Sequence, residues 1–384
     1  MARKKPKVRA DFRKNRAARA RDKTFAQQLT DKESAGDDDA PRNERVSGKG
    51  DISRKRTLAG AEIVEDASGT LVLPEIDREV CRLGRVLRGQ GLHSLVRGED
   101  GSIFQCATRR LLKTLATDQR HVVVAGDVVW FRPEGESQGI IERIEPRRGV
   151  LSRTSRSRRH VLVANVDQVV IVTSAAEPRL KPNLIDRYLV SAEKAEARPI
   201  VCINKIDLID AAELMPLVGV YSQLGYEVLM VSAATGIGID GLRERLAGAE
   251  SVVTGQSGVG KSSLLNAVEP DLGLRVQTVS EETQKGRHTT TTAELIPLAI
   301  GGYVVDTPGI RQFQLWDVIP DEVAGYFREL RPYVSKCRFP NCTHTHEDNC
   351  AVKDAVADGW IDARRYESYV QIRSGDEDAA RTVR

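Results

Sequence analysis

The 384-residue chain has no apolar run approaching the length of a membrane span. Its charged beginning, MARKKPKVRADFRKNR, has no apolar stretch behind it, which is not the pattern of a secretory signal. A cytoplasmic protein without membrane partners is expected. The chain also lacks internal repeats and dimerisation heptads, so a monomer built from distinct domains is expected. Net charge is small, at +4. Cysteine is scarce too, with six in all, and in a cytoplasmic chain these are not read as disulfides.

The modest net charge hides an uneven distribution. Residues 1–23 carry eleven Lys and Arg against two Asp, and Arg147, Arg148, Arg153, Arg156, Arg158 and Arg159 follow further on. Basic clusters of this kind favour polyanions, RNA among them, through counterion release. Residues 1–75, with an acidic stretch at Asp37–Asp39 and few large apolar side chains, read as a disordered extension. Over 76–152, short β-type segments punctuated by Gly, Asp and Pro predict a barrel of about five strands, of the oligonucleotide-binding type. Its exposed strand face would carry Arg82, Arg85 and Arg88. Over 153–318, buried-type strands such as DQVVIVTS and IVCINKIDL alternate with helical patterns, predicting α/β architecture around a parallel sheet. Residues 319–384 turn helical around a Cys/His-rich loop. The fold class is therefore multi-domain α/β: an N-terminal barrel, a nucleotide-binding domain and a C-terminal helical module.

The strongest local signal is Gly255-Gln256-Ser257-Gly258-Val259-Gly260-Lys261-Ser262, with Ser263 next, between the strand SVVT and an amphipathic helix. This is a phosphate-binding loop, in which glycines let backbone N–H groups wrap a phosphate at a helix N-terminus. Lys261 is expected on the β- and γ-phosphates and Ser262 on Mg²⁺. Base choice falls to Asn204-Lys205-Ile206-Asp207. Asp207 can accept from the guanine N1–H and exocyclic amine, which adenine does not offer. Asn204 can hold neighbouring loops, and the Lys205 stem can cover the base. Ser232-Ala233 follows another strand and can present a backbone N–H to guanine. Asp306-Thr307-Pro308-Gly309 ends a further strand. Asp306 can hold Mg²⁺ through water, and the Gly309 N–H can sense the γ-phosphate. Among Thr289–Thr292, one threonine is expected on Mg²⁺, and Thr290 is assigned. A P-loop also serves ATP-dependent enzymes, but Asp207 argues against that reading. A passive RNA-binding module with a vestigial nucleotide site is the other alternative.

Cys337, Cys342, His344 and Cys350 offer three thiolates and an imidazole, a set suited to one structural, tetrahedral Zn²⁺. His346 competes with His344, but in an extended segment the two would point to opposite sides. The isolated Cys81, Cys106 and Cys202 read as core residues.

The nucleotide motifs run NKID, SA, GQSGVGKSS, GRHTTT, DTPG, whereas Ras-like GTPases begin with the phosphate loop. In this order, and with the barrel before and the Cys/His loop after, residues 80–370 resemble the RsgA (YjeQ) family of circularly permuted GTPases. That resemblance implies GTP cleavage to GDP with Mg²⁺, and a role in late maturation of the small ribosomal subunit through nucleotide-dependent rRNA binding. It also implies that His288 orients the attacking water, because Ile310 stands where many GTPases carry a glutamine near the end of the last motif. Gly258 replaces the asparagine with which some relatives hold a monovalent cation.

Overall fold

Strand alternation in the first part of the chain and buried strands in the second give two units, residues 1–166 with 290–296, and residues 167–289 with 297–384. The computed structural model describes residues 7–11, 46–47, 55–59, 61–66, 69–90, 93–115, 122–155, 158–274, 293–306 and 318–375.

In the first unit β1 (Lys7–Asp11), β2 (Val46–Ser47) and β3 (Lys55–Ala59) form a small antiparallel sheet. A hairpin of β4 (Ala61–Asp66) and β5 (Gly69–Pro74) follows. Strands thus occur in a stretch expected to be disordered. The local reason is visible in the hairpin, where Ile63 pairs with Val72 and Val64 with Leu71. Leu73, next to the last residue of β5, is buried.

The predicted barrel is formed by β6 (Arg82–Gln90), β7 (His93–Gly98), β8 (Ile103–Thr108), α1 (Arg110–Leu115), β9 (Val128–Pro133) and β10 (Gln138–Ile144). The strands run in the order β6-β7-β8-β10-β9 and β9 pairs back onto β6, so the sheet closes. Only the β8–β10 pair among these is parallel. Val86, Val96, Cys106, Val129 and Ile141 fill the interior around Phe104 and Phe131, whose rings lie 4.9 Å apart.

The three arginines of β6 do not share one face. Arg82 lies opposite the buried Phe131 and has the parity of inward-facing Val86. Arg85 lies opposite Arg97, and a register shift between Val86 and Arg88 returns Arg88 to the side of Arg85. A bulge of this kind inserts one residue and flips parity beyond it. Arg147, expected in a basic cluster that favours polyanions, is instead buried and paired with Asp127, at 2.7 Å from Nε and 2.8 Å from Nη2. Its Nη2 also donates to the Val122 carbonyl.

β11 (Leu151–Ser155) and β12 (Arg158–Val163) form a hairpin that belongs to the first unit, because Val161 and Ala164 pack with Val124 and Val150. The division between units therefore falls after residue 166 rather than after 152.

The second unit contains β13 (Gln168–Ser174), α2 (Pro182–Lys194), β14 (Arg198–Asn204), α3 (Met215–Gln223), β15 (Glu227–Met230), α4 (Ile239–Leu246), β16 (Glu250–Thr254) and α5 (Lys261–Val268). β17 (Glu294–Pro297), whose residues up to 296 belong to the first unit, sets Glu294 opposite Arg88 of β6, and β18 (Tyr303–Asp306) follows in the second unit. The parallel order is β15-β14-β13-β16-β18. Val169–Val172 and Ile200–Ile203 are buried throughout, as expected of strands covered on both faces. Successive strands run outward from β13 in one direction through β14 and β15, and β16 starts on its other side. That reversal is the switch point at which open α/β sheets bind ligands, beyond the C-terminal strand ends. Ser174, Asn204, Thr254 and Asp306 close those ends.

The C-terminal residues α6 (Val323–Tyr326), α7 (Arg331–Val334), α8 (Ala351–Ala357) and α9 (Ala363–Ser374) pack in the same unit as the sheet. Val190 of α2 joins Phe327, Leu330, Val352, Tyr369 and Ile372 in one core. Beside it Arg365 is buried, donating to Asp186 at 2.6 Å and to Glu329 at 2.6 and 3.2 Å. Burial pushes the Asp186 carboxyl up, and Arg365 pulls it the other way. Among the described residues no helix is long and apolar enough to cross a membrane.

Candidate nucleotide site and metal centre

The phosphate loop leaves β16 at Gly255 and enters α5 at Lys261. Two of its glycines are dictated by their surroundings. At Gly255, φ is +143° and a Cβ would stand 2.0 Å from the Val172 carbonyl oxygen. At Gly260, φ is +92° and a Cβ would stand 2.4 Å from Asn204 Nδ2. Both positions combine a backbone conformation that L side chains avoid with direct contact, so only glycine fits. Val259 is buried and anchors the loop, while Gln256, Ser257, Gly258, Ser262 and Ser263 are half-buried or exposed. Lys261 Nζ donates to the Gly255 and Gln256 carbonyls at 2.8 and 2.7 Å. Its ammonium therefore lies over the loop whose phosphates it is expected to meet.

Asn204 ties three loops together. It is 1% exposed. Its Nδ2 donates to the Val259 carbonyl at 2.8 Å, and its Oδ1 accepts from the Ala233 N–H at 3.2 Å. Its own carbonyl accepts from Ala175 N at 2.8 Å. Lys205 adopts φ +63° and sends Nζ to the carbonyls of Gly258, at 2.9 Å, and Glu177. Ile206 N donates to the Val231 carbonyl at 3.3 Å. Asp207 is exposed, and the buried Ser232 hydroxyl donates to its Oδ1 at 2.5 Å, with Thr235 N donating in turn to Ser232 Oγ. The carboxylate is thus oriented before any base arrives, with one oxygen partly committed to Ser232.

The two halves of the expected nucleotide site meet at one sheet edge. The Ser232-Ala233 pair contributes differently from expectation: its Ala233 N–H is engaged with Asn204, and its hydroxyl, which the motif did not single out, sets Asp207. Asp306 ends β18, and its side chain lies outside the described residues, as do Gly309, Thr290 and His288. The loop carbonyl of Glu177 was also missed. Nothing in its sequence marks it, because a backbone oxygen leaves no residue signature.

In the C-terminal module the ligand atoms of Cys337, Cys342, His344 and Cys350 all lie within 4.8 Å of one another. Cys337 Sγ is 3.4 Å from His344 Nδ1 and 3.8 Å from Cys350 Sγ, and Cys350 Sγ is 3.5 Å from His344 Nδ1. A tetrahedral Zn²⁺ with ordinary bond lengths requires S–S edges of about 3.8 Å and S–N edges of about 3.6 Å. The donor set is therefore compatible with zinc. His344 takes φ +58° and is buried, whereas His346 is exposed. Tyr366 and Tyr369 hydroxyls hold the His344 and Thr343 carbonyls at 2.8 and 2.6 Å, fixing the ligand loop onto α9. The other thiols lie in the cores, where burial raises Cys81 to about 11 and Cys106 and Cys202 to about 12.

The RsgA GTPase family matches residues 144–316. A "Small ribosomal subunit biogenesis GTPase RsgA" of Sodalis glossinidius (strain morsitans) is 43% identical over 295 residues, covering 75% of this chain and 84% of that protein. The Yersinia enterocolitica protein of the same name is 40% identical over 308 residues, covering 77% and 85%. Among solved structures, YjeQ from Thermotoga maritima superposes with a TM-score of 0.64 at 37% identity, covering 77% of this chain and 98% of that one. YloQ, described as a circularly permuted GTPase, gives 0.61 at 29% identity, covering 81% and 100%. With relatives at 40% identity and above that cover three quarters of it, the chain belongs to the RsgA GTPase family.

Proposed function

We propose that this GTPase acts on the small ribosomal subunit during its late maturation, binding rRNA in a manner that changes between its GTP and GDP states. The observation that carries the reading is Asn204, which joins the base-reading loop to the phosphate loop at one sheet edge. In this reading Asp207 accepts from guanine N1–H and the exocyclic amine, Lys205 covers the base, and Ala233 shares its N–H between Asn204 and the base oxygen. The amides of Gly255–Gly260 surround the phosphates and Lys261 leaves its loop carbonyls for them. Ser262, Thr290 and Asp306 would hold Mg²⁺, which neutralises charge on the β- and γ-phosphates when bound with GTP. Gly309 senses the γ-phosphate, and His288 orients the attacking water. Cys337, Cys342, His344 and Cys350 would hold one structural zinc, whose four protein ligands leave no position for substrate. The protein works in the cytoplasm as a monomer, and the five-stranded barrel supplies an RNA contact.

GTP and ATP hydrolysis, measured with and without isolated small subunits, tests this. Faster GTP turnover with subunits and little ATP turnover are expected. Equal use of ATP would remove the role of Asp207, and an unchanged rate with subunits would remove them as activator. Equal affinity of the GTP- and GDP-loaded protein for subunits would end the nucleotide gating. Purified protein should carry one equivalent of zinc, lost in Cys342→Ser.

A further inference from the structure

We infer that the C-terminal module sets the grip on the guanine base, through the loop between β13 and α2, with Arg365 as the positioning residue. The inference rests on the assignment of Lys205 and Asp207 to base recognition.

Three links carry it. The first joins α9 to the first turns of α2. Arg365 is 2% exposed and bridges Asp186 and Glu329, with its guanidinium 4.5 Å from the Phe327 ring. Further along α9, the Ser368 hydroxyl reaches Asn183 Oδ1 at 3.3 Å, and Gln371 Oε1 accepts from Asn183 Nδ2 at 2.8 Å. From α3, the Tyr221 hydroxyl donates to Asp186 Oδ1 at 2.8 Å and lies 3.4 Å from the Pro182 carbonyl. The start of α2 is therefore clamped by the module on one side and α3 on the other.

The second link is the loop itself. It runs from Ser174, at the end of β13, to Pro182. Ser174 Oγ donates to the Glu177 carbonyl at 2.9 Å, and Ala175 N donates to Asn204 O. Leu184 N and Ile185 N return to the Lys181 carbonyl. The segment between Ser174 and Pro182 is short, seven residues tied at both ends by these bonds, and a shift of α2 is carried along it to Glu177. The third link is Lys205, whose ammonium donates both to the Glu177 carbonyl and to Gly258 O of the phosphate loop.

Apolar packing already holds the module in place, through Val190 near the other end of α2. A buried ion pair adds little to stability compared with well-packed apolar groups, and is retained where it fixes one arrangement. Here it fixes the end of α2 nearest the nucleotide edge. The covalent route from Asp306 to the module passes through residues 307–317, outside the described residues. The joint supplies a separate route, which reaches the base side of the pocket. A partner that engages the module thereby changes nucleotide release before it changes cleavage.

The test uses the full-length, zinc-loaded protein and release of a fluorescent methylanthraniloyl GDP, beside kcat and KM for GTP. Asn183→Ala and Arg365→Lys, which cannot bridge two carboxylates in the same way, should release GDP roughly tenfold faster, within the range by which residues on a coupling route shift affinity. KM should rise, while kcat stays within about twofold and zinc content is unchanged. Asn183→Asp, whose carboxylate still accepts from Ser368 and can accept from Gln371 Nε2 once that amide turns over, should restore slow release. Wild-type release rates in both weakened variants would overturn the inference, as would a fall in kcat with release unchanged. If Arg365→Lys fails to fold, Asn183→Ala decides alone. If the wild-type protein bound ADP as well as GDP, the base assignment would fail, yet the release rates would still decide whether the joint acts on the pocket.

Discussion

Replacing Asn204 by alanine removes two hydrogen bonds at once, Nδ2 to Val259 O at 2.8 Å and Ala233 N to Oδ1 at 3.2 Å. A net hydrogen bond contributes about 1 kcal/mol, and a buried group left without a partner costs about 1–3 kcal/mol. Val259 is buried and Ala233 half-buried, so the carbonyl bears the larger penalty and the amide the smaller. The sum is about 2–4 kcal/mol. Both bonds exist without ligand, so most of this loss should appear as lower stability of the second unit. The remainder should appear in nucleotide affinity, because the base loop and phosphate loop are no longer held at a common spacing. An affinity for GDP about tenfold weaker corresponds to about 1.4 kcal/mol. Urea unfolding with and without GDP separates the two contributions, since a ligand stabilises only as far as it still binds the folded state. Gly260→Ala approaches the same contact from the other side, with φ +92° and a Cβ 2.4 Å from Asn204 Nδ2, and should weaken GDP binding comparably. An Asn204→Ala protein that unfolds at the wild-type urea concentration and binds GDP with wild-type affinity would refute the claim that Asn204 joins the loops.

Arg147→Ala leaves Asp127 charged and buried, and should destabilise the barrel by about 3–5 kcal/mol in chemical denaturation, whereas Arg82→Ala, at an exposed position, should change it by less than about 0.5 kcal/mol; equal effects would contradict the assignment of Arg147 to the core. Alkylation with iodoacetamide at neutral pH, read by mass spectrometry, should leave Cys81, Cys106 and Cys202 unmodified in the folded protein, since burial raises them to about 11, 12 and 12 and the thiolate is the reactive form. Removing metal with a chelator should open the other three cysteines to the reagent, and labelling of Cys202 before unfolding would contradict its burial. His288→Ala should lower GTP turnover while GTP binding persists; unchanged turnover would remove His288 from the reaction.

The phosphate-loop and strand-end motifs were legible because each is built from contiguous residues. A loop of backbone amides requires glycines a few positions apart, and an N-K-x-D strand end delivers its carboxylate within one turn. The Cys/His cluster was legible for the same reason, since three thiols and an imidazole fall within fourteen residues and the fold brings their ligand atoms within 4.8 Å of one another. The barrel was legible in its alternation but not in its closure. The β9–β6 pairing and the parallel β8–β10 pair depend on strands distant in sequence, and the bulge that returns Arg88 to the side of Arg85 has no marker residue.

Charges were the least legible. Arg147 stands in a run of arginines, and only the structure shows that Asp127 claims it. Asp186 looks like an ordinary helix carboxylate until Arg365, 179 residues away, is found against it. A charged residue defaults to solvent in any reading by composition, so one that is buried has been placed there by partners from elsewhere in the chain. The motifs name the atoms proposed to meet the nucleotide, and what holds those atoms in register is only partly written in them, through Asn204. In this protein that task falls to buried polar side chains outside the phosphate loop, Asn204 between the loops and Arg365 behind them. Substituting Arg365 should separate grip from cleavage more cleanly than substituting the motif residues, because it lies outside the motifs and bridges Asp186 and Glu329 instead.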